Sequence, residues 1–166
     1  MTSIHRQMFR AQCQPGQVSA CVGRLQEIHP TVHALVDQGR LLTAAAFRWG
    51  DHFFFYSEAI AAPIDPLSLY PGLDPWLMSW PGAAFERRYI PLVDIFHCVE
   101  PQGLEHWRRK RQPERVFARL ARLKPEMTAG YIFYHYQLQE EKPGSLDKYC
   151  LIGLHENLLF FYLEHP

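Results

Sequence analysis

Tyr131 and His135 stand four residues apart in EMTAGYIFYHYQLQEE (126–141). At helical spacing, side chains four apart share one face. Neutral histidine can accept or donate a proton near pH 7, and a tyrosine hydroxyl can donate one. Glu141 follows ten residues after Tyr131, a little under three turns, so it falls on roughly the same side. A carboxylate there can orient an imidazole. These are the residue types that general acid–base catalysis uses. The competing reading is an amphipathic helix whose Tyr131 and His135 lie in a core with their polar tips satisfied.

Other side chains carry weaker signals. Trp76 and Trp80 are an aromatic pair that can stack on the C–H face of a sugar or pack against a sheet. His29 and His33 are spaced i, i+4, as zinc-binding pairs can be. No HExxH motif accompanies them and Pro30 sits between them, so solvated histidines are expected and no metal is assigned. Arg108–Arg111 open a basic stretch. Residues 87–124 hold ten basic and four acidic side chains, a net +6 balanced by −6 elsewhere. Such a stretch can bind phosphate or nucleic acid. On an alternating strand, Arg115, Arg119 and Arg122 more simply face solvent.

The elements that must position these residues can be read from periodicity. Residues 4–14 alternate as a strand, and Pro15-Gly16 breaks it. Val18, Cys21, Val22, Leu25, Ile28, Val32, Leu35 and Val36 form a helical stripe over 17–38. Pro30 inside it predicts a kink or a split. Residues 40–49 and 52–58 read as a hairpin around Gly50-Asp51. A proline-rich loop follows, with room for a short helix near Trp76–Trp80, and then a strand over 88–98. The pattern restarts with a strand at 114–124, a helix from Pro125 to about Glu141, and a hairpin at 148–155 and 158–164.

This restart suggests an internal duplication. Pro15 matches Pro125, and Phe54, Phe55, Tyr56 and Glu58 recur as Phe160, Phe161, Tyr162 and Glu164. The expected fold class is α+β. Duplicated ferredoxin-like βαββ units would have antiparallel sheets packed as an α/β barrel. Residues 1–99 would form the first unit, 100–113 a linker, and 114–166 a second, shorter βαββ unit. Seven strands leave the second sheet one short, which a homodimer would fill.

The segment ARLKPEMTAGYIFYHYQLQEE, followed by KYCLIGLHENLLFFYLE, resembles the L-rhamnose mutarotase family. Pro125, Tyr131, His135, Glu141 and Asn157-Leu158-Leu159-Phe160 follow that family's features in order. The resemblance covers about 116–164 well and 4–98 in layout only. It implies a dimeric α/β-barrel fold, with Tyr131 and His135 acting at a sugar's anomeric centre and no metal or cofactor. The implied reaction is opening and closing of a pyranose hemiacetal, with His135 and Tyr131 as base and acid and Glu141 tuning or orienting; Trp76 and Trp80 lie outside the matched motifs and are separate candidates for stacking on the sugar. The first-unit positions matching Tyr131 and His135 are Cys21 and Leu25, so the acid–base roles fall on the second unit alone. The alternatives are a non-catalytic small-ligand-binding relative and a heme or quinone monooxygenase-like member of the same group.

Composition narrows the field. The chain has 166 residues, 17 basic and 17 acidic side chains, 48% apolar residues and 14% aromatic residues. It is apolar enough to bury a core, and zero net charge argues against binding nucleic acid through bulk charge. No apolar run is long enough to span a membrane. MTSIHRQMFR lacks the apolar core of a secretory signal, and Cys13, Cys21, Cys98 and Cys150 make no CxxC pair. Reduced cysteines and cytoplasmic residence are therefore expected, with a small sugar or related molecule as partner.

Overall fold

The computed structural model describes residues 2–82, 84–144 and 147–165. It is an α+β chain of two compact units, Met1–Pro91 and Leu92–Pro166. The first unit contains β1 (Ile4–Gln12), α1 (Val18–Asp37), β2 (Leu41–Trp49), β3 (His52–Ile60), the short α2 (Pro66–Leu69) and β4 (Ile90–Pro91). Its antiparallel sheet has the order β2-β3-β1-β4. The second unit contains β5 (Val93–His97), the short α3 (Leu104–Trp107), β6 (Arg115–Arg122), α4 (Thr128–Glu141), β7 (Leu151–His155) and β8 (Leu158–His165). Its sheet, also antiparallel, has the order β5-β7-β8-β6. Among the described residues, no helix is long and apolar enough to cross a membrane.

In the first unit the apolar stripe of α1 covers one face of the sheet. Cys21 and Ile28 are buried, and Val18, Val22, Leu25, Val32, Leu35 and Val36 pack against the same core as Ala11, Cys13, Phe53, Phe55 and Ala59. Strand alternation sends Phe54, Tyr56 and Glu58 to the opposite face, where they are also buried. This double burial explains the unbroken aromatic run Phe53–Tyr56 in β3. Gly50, with φ +60, turns β2 into β3 in a left-handed conformation that glycine adopts without strain.

The proline in α1 neither splits it nor ends it, because Val18–Asp37 is one helix. Pro30 lacks the N–H that would bond the Gln26 carbonyl, and both residues are exposed. Replacing Pro30 by alanine restores that donor. It should stabilise the protein by about 2 kcal/mol, after allowing for the greater freedom of the unfolded chain. Urea unfolding reads this directly, and an unchanged midpoint would show that the helix already accommodates the proline without penalty.

The second unit follows the first closely in register. α1 begins at residue 18 and α4 at residue 128, an offset of 110. Met8 pairs with Tyr56, and Ala118 pairs with Tyr162. The ends of β1 and β6 are each clamped to the turn of the hairpin that follows in their unit, Cys13 N–H to Asp51 O at 2.8 Å and Leu123 N–H to Asn157 O at 2.7 Å. Tyr56 donates to Glu58 at 2.6 Å, and Tyr162 donates to Glu164 at 2.5 Å. Two carboxylates with 0% and 3% exposure are thus held by the same Tyr-x-Glu arrangement.

Several details differ from the sequence reading. The apolar run 88–98 is divided, with Ile90–Pro91 pairing with β1 and Val93–His97 pairing with β7. The boundary between units therefore falls at 91/92, ahead of 99, and β5 gives the second sheet four strands. β5 is thus the fourth strand that the seven-strand reading left out of the second sheet. Residues 100–113 are more than a linker: Trp107 is 0% exposed, and Arg109 pairs with buried Glu164. Around Trp76 the expected short helix is a single 3-10 turn, Asp74–Trp76.

Candidate functional site: a cleft beside the second helix

α4 turns Tyr131, Ile132, His135, Leu138 and Gln139 inward as half-buried residues and leaves Phe133, Tyr134 and Tyr136 exposed. Leu138, Ile132 and Tyr131 pack against the core of β5, β7 and β8. A side-chain clasp holds the helix there, because the Gln139 Oε1 accepts the His97 backbone N–H at 3.0 Å. His97 is in turn held by Asp94 at 3.1 Å and Glu100 at 2.8 Å.

α4 leaves a cleft of about 330 Å³ over the sheet. Tyr131 and His135 line it, with Phe96, Arg119, Leu138, Ile152, Leu159 and Phe161 among the other walls. Their rings stack with centroids 4.0 Å apart, and Phe96 meets His135 edge-on at 5.5 Å. His135 Nδ1 lies 2.9 Å from the Tyr131 carbonyl oxygen. A carbonyl only accepts, so this contact places the proton on Nδ1 and leaves Nε2 with a lone pair. Among the described residues neither Nε2 nor the Tyr131 hydroxyl has a hydrogen-bond partner. Burial raises the Tyr131 pKa above the ordinary tyrosine value, so this hydroxyl stays a proton donor. The pair therefore offers one base and one acid on one wall.

The other candidates fall elsewhere. Glu141 is exposed, accepts from Gln137 at 2.8 Å, and is not part of the cleft wall. Ten residues of helix are about 1000° of rotation, which leaves Glu141 some 80° away from Tyr131. Trp76 packs against the core of the first unit. Trp80, in the same unit, lies under the Arg10 guanidinium at 4.9 Å. His29 and His33 are exposed, and His33 pairs with Asp37 at 3.2 Å. Among the described residues no group of three or more His, Cys, Asp or Glu side chains could hold a metal ion.

The sequence reading missed Arg119 and Phe96. Arg119 alternates with Leu120 on β6 and shares the α4 side with Phe117 and Ala121, so it puts a cation on the cleft wall. Strand parity alone points to this once the α4 side of β6 is known. In the first unit the cleft against α1 is larger, about 670 Å³, and carries Leu25 where the second unit carries His135. Cys21, at the position of Tyr131, is buried in the core. Set beside known proteins, the chain matches no family model, no curated protein and no solved structure.

Proposed function

We propose that the second unit is a mutarotase-like enzyme that exchanges the anomers of a deoxy-hexose or a similar compact hemiacetal. The observation carrying this reading is the shared cleft wall, where His135 Nε2 and the Tyr131 hydroxyl are both without a protein partner. His135 Nε2 takes the proton of the anomeric hydroxyl while Tyr131 gives its proton to the ring oxygen. The bond between C1 and the ring oxygen breaks, and the carbonyl forms at C1. Rotation about C1–C2 turns the other carbonyl face toward the C5 hydroxyl. That hydroxyl attacks and returns its proton to the Tyr131 phenolate, and the His135 imidazolium reprotonates the anomeric oxygen. Protons balance over the cycle. Arg119 would bind a sugar oxygen.

The lining supports a partly deoxygenated ring. Phe96, Leu138, Ile152, Leu159 and Phe161 suit a methyl group or a C–H face, while a fully hydroxylated sugar would leave polar groups unpaired. The same lining favours a second reading, a binding site for a small amphipathic molecule without turnover. The matching registers and Tyr-x-Glu pairs support descent of both units from one duplicated βαββ segment, with the acid–base pair kept in one copy.

Saturation-transfer NMR on L-rhamnose and related aldoses tests the enzyme reading. The protein should accelerate anomer exchange, and Tyr131→Phe should reduce the acceleration by about a hundredfold. If no common aldose exchanges faster in its presence, the enzyme reading falls and the binding reading stands.

A further inference from the structure

We propose that the second unit holds a separate binding cavity for a phosphate monoester, built from the basic segment after α3 and the end of β8. The cavity is about 280 Å³ and is lined by Arg109, Lys110 and Arg111 on one side and by Lys148, Tyr149 and Glu164 on another. Glu164 alternates with Leu163, which packs in the core that α4 covers, so Glu164 enters the cavity from the face of β8 opposite the Tyr131–His135 cleft, and the two sites share no lining residue.

The site is built rigidly. Arg109 makes two hydrogen bonds to Glu164, at 2.7 and 2.5 Å, and Tyr162 donates to the same carboxylate. The Arg109 guanidinium lies 4.0 Å over the Tyr149 ring, and Tyr149 meets buried Trp107 edge-on and donates to its carbonyl. Lys148 is fixed by donating to the His106 carbonyl. The segment presenting Lys110 and Arg111 therefore costs little further ordering when a ligand arrives.

Charge selects the ligand. The walls hold Arg109, Lys110, Arg111 and Lys148 against two carboxylates, Glu164 and Asp147. Both carboxylates are already engaged, Glu164 by Arg109 and Asp147 by His165 at 2.6 Å. Lys110 and Arg111 are exposed and have no partner among the described residues. The surplus of two positive charges matches a phosphate monoester, which carries about −1.5 to −2 near pH 7. Arginine adds forked donors suited to phosphate oxygens. Binding of an extended nucleic acid is disfavoured, because the aromatic faces are occupied: Arg109 covers Tyr149, and Trp107 is buried.

Calorimetric titration of the full chain with glucose 6-phosphate, inorganic phosphate and glucose tests this. Saturable binding of the two phosphates, and none of glucose, is expected. Tighter binding of the ester supports a phosphorylated metabolite as the ligand, and equal or tighter binding of free phosphate would overturn the ester in favour of inorganic phosphate. Lys110→Ala and Arg111→Ala lie on the surface and should leave the fold intact. Each should weaken phosphate binding by about tenfold. Unchanged affinity in the double variant, or glucose binding as tightly as its phosphate, would overturn the proposal. Single-stranded RNA binding more tightly than the ester would also overturn it. The Tyr131–His135 cleft is untouched by these variants, so anomer exchange and phosphate binding fail or succeed separately.

Discussion

Replacing His135 by alanine should slow anomer exchange by about a hundredfold or more, the usual loss when a positioned proton-transfer group is removed. The variant keeps Tyr131 in the cleft but removes the ring whose Nδ1 is tied to the helix and whose Nε2 carries the lone pair. His135 is half-buried and lies in no fully packed core, so the helix should survive, and far-UV circular dichroism checks this. His135→Gln is the companion variant. It keeps a hydrogen-bonding tip near the cleft but cannot shuttle a proton, so exchange should stay low while sugar binding persists. Equal exchange in the wild type and His135→Ala would remove His135 from the mechanism. The pH profile offers a further check. A tyrosine whose pKa is raised stays protonated as pH increases through the ordinary tyrosine value, near 10. Loss of Tyr131 as an acid should therefore not appear in the rate below that pH.

Replacing Arg109 by alanine should destabilise the second unit by about 3–5 kcal/mol. The Arg109 side chain is 13% exposed and that of Glu164 is 2% exposed. Removing the guanidinium leaves a buried carboxylate with Tyr162 as its remaining donor in the Tyr-x-Glu pair, and it also uncovers the Tyr149 ring. The loss is dominated by the stranded charge, not by the ion pair's own net contribution. The double variant Arg109→Met, Glu164→Gln removes both charges and should recover most of the stability. Urea unfolding followed by circular dichroism measures both variants. A loss under about 1 kcal/mol for Arg109→Ala would place the pair in the class of weak surface bridges.

The two expected effects differ in how far they could be read from the chain itself. The i, i+4 spacing of Tyr131 and His135 is a local property, and helix geometry alone puts both side chains on one face. The stripe of α1, the hairpin at Gly50-Asp51 and the alternation of β6 are local in the same sense, and each forms as its periodicity indicates. The contact between Arg109 and Glu164 spans 55 residues, and a basic run gives no sign of which of its members will be buried. The placement of Glu141 depends on the cumulative angle over ten helical residues, where a small error moves a side chain off the face.

The strand–helix–hairpin succession of each unit, the shared helix face of Tyr131 and His135, and the repeated Phe-Phe-Tyr-x-Glu strands were legible from the sequence alone, because each follows from backbone geometry over a few residues. The tertiary structure alone decided that 88–98 divides between two sheets, that Arg109 leaves its basic neighbours to neutralise Glu164, and that α4 stands off β6 far enough to leave a cleft. Those outcomes depend on which sheet edge is open, which buried charge needs a partner and which volumes fill. Each is settled between residues far apart in the chain, where side-chain spacing carries no information.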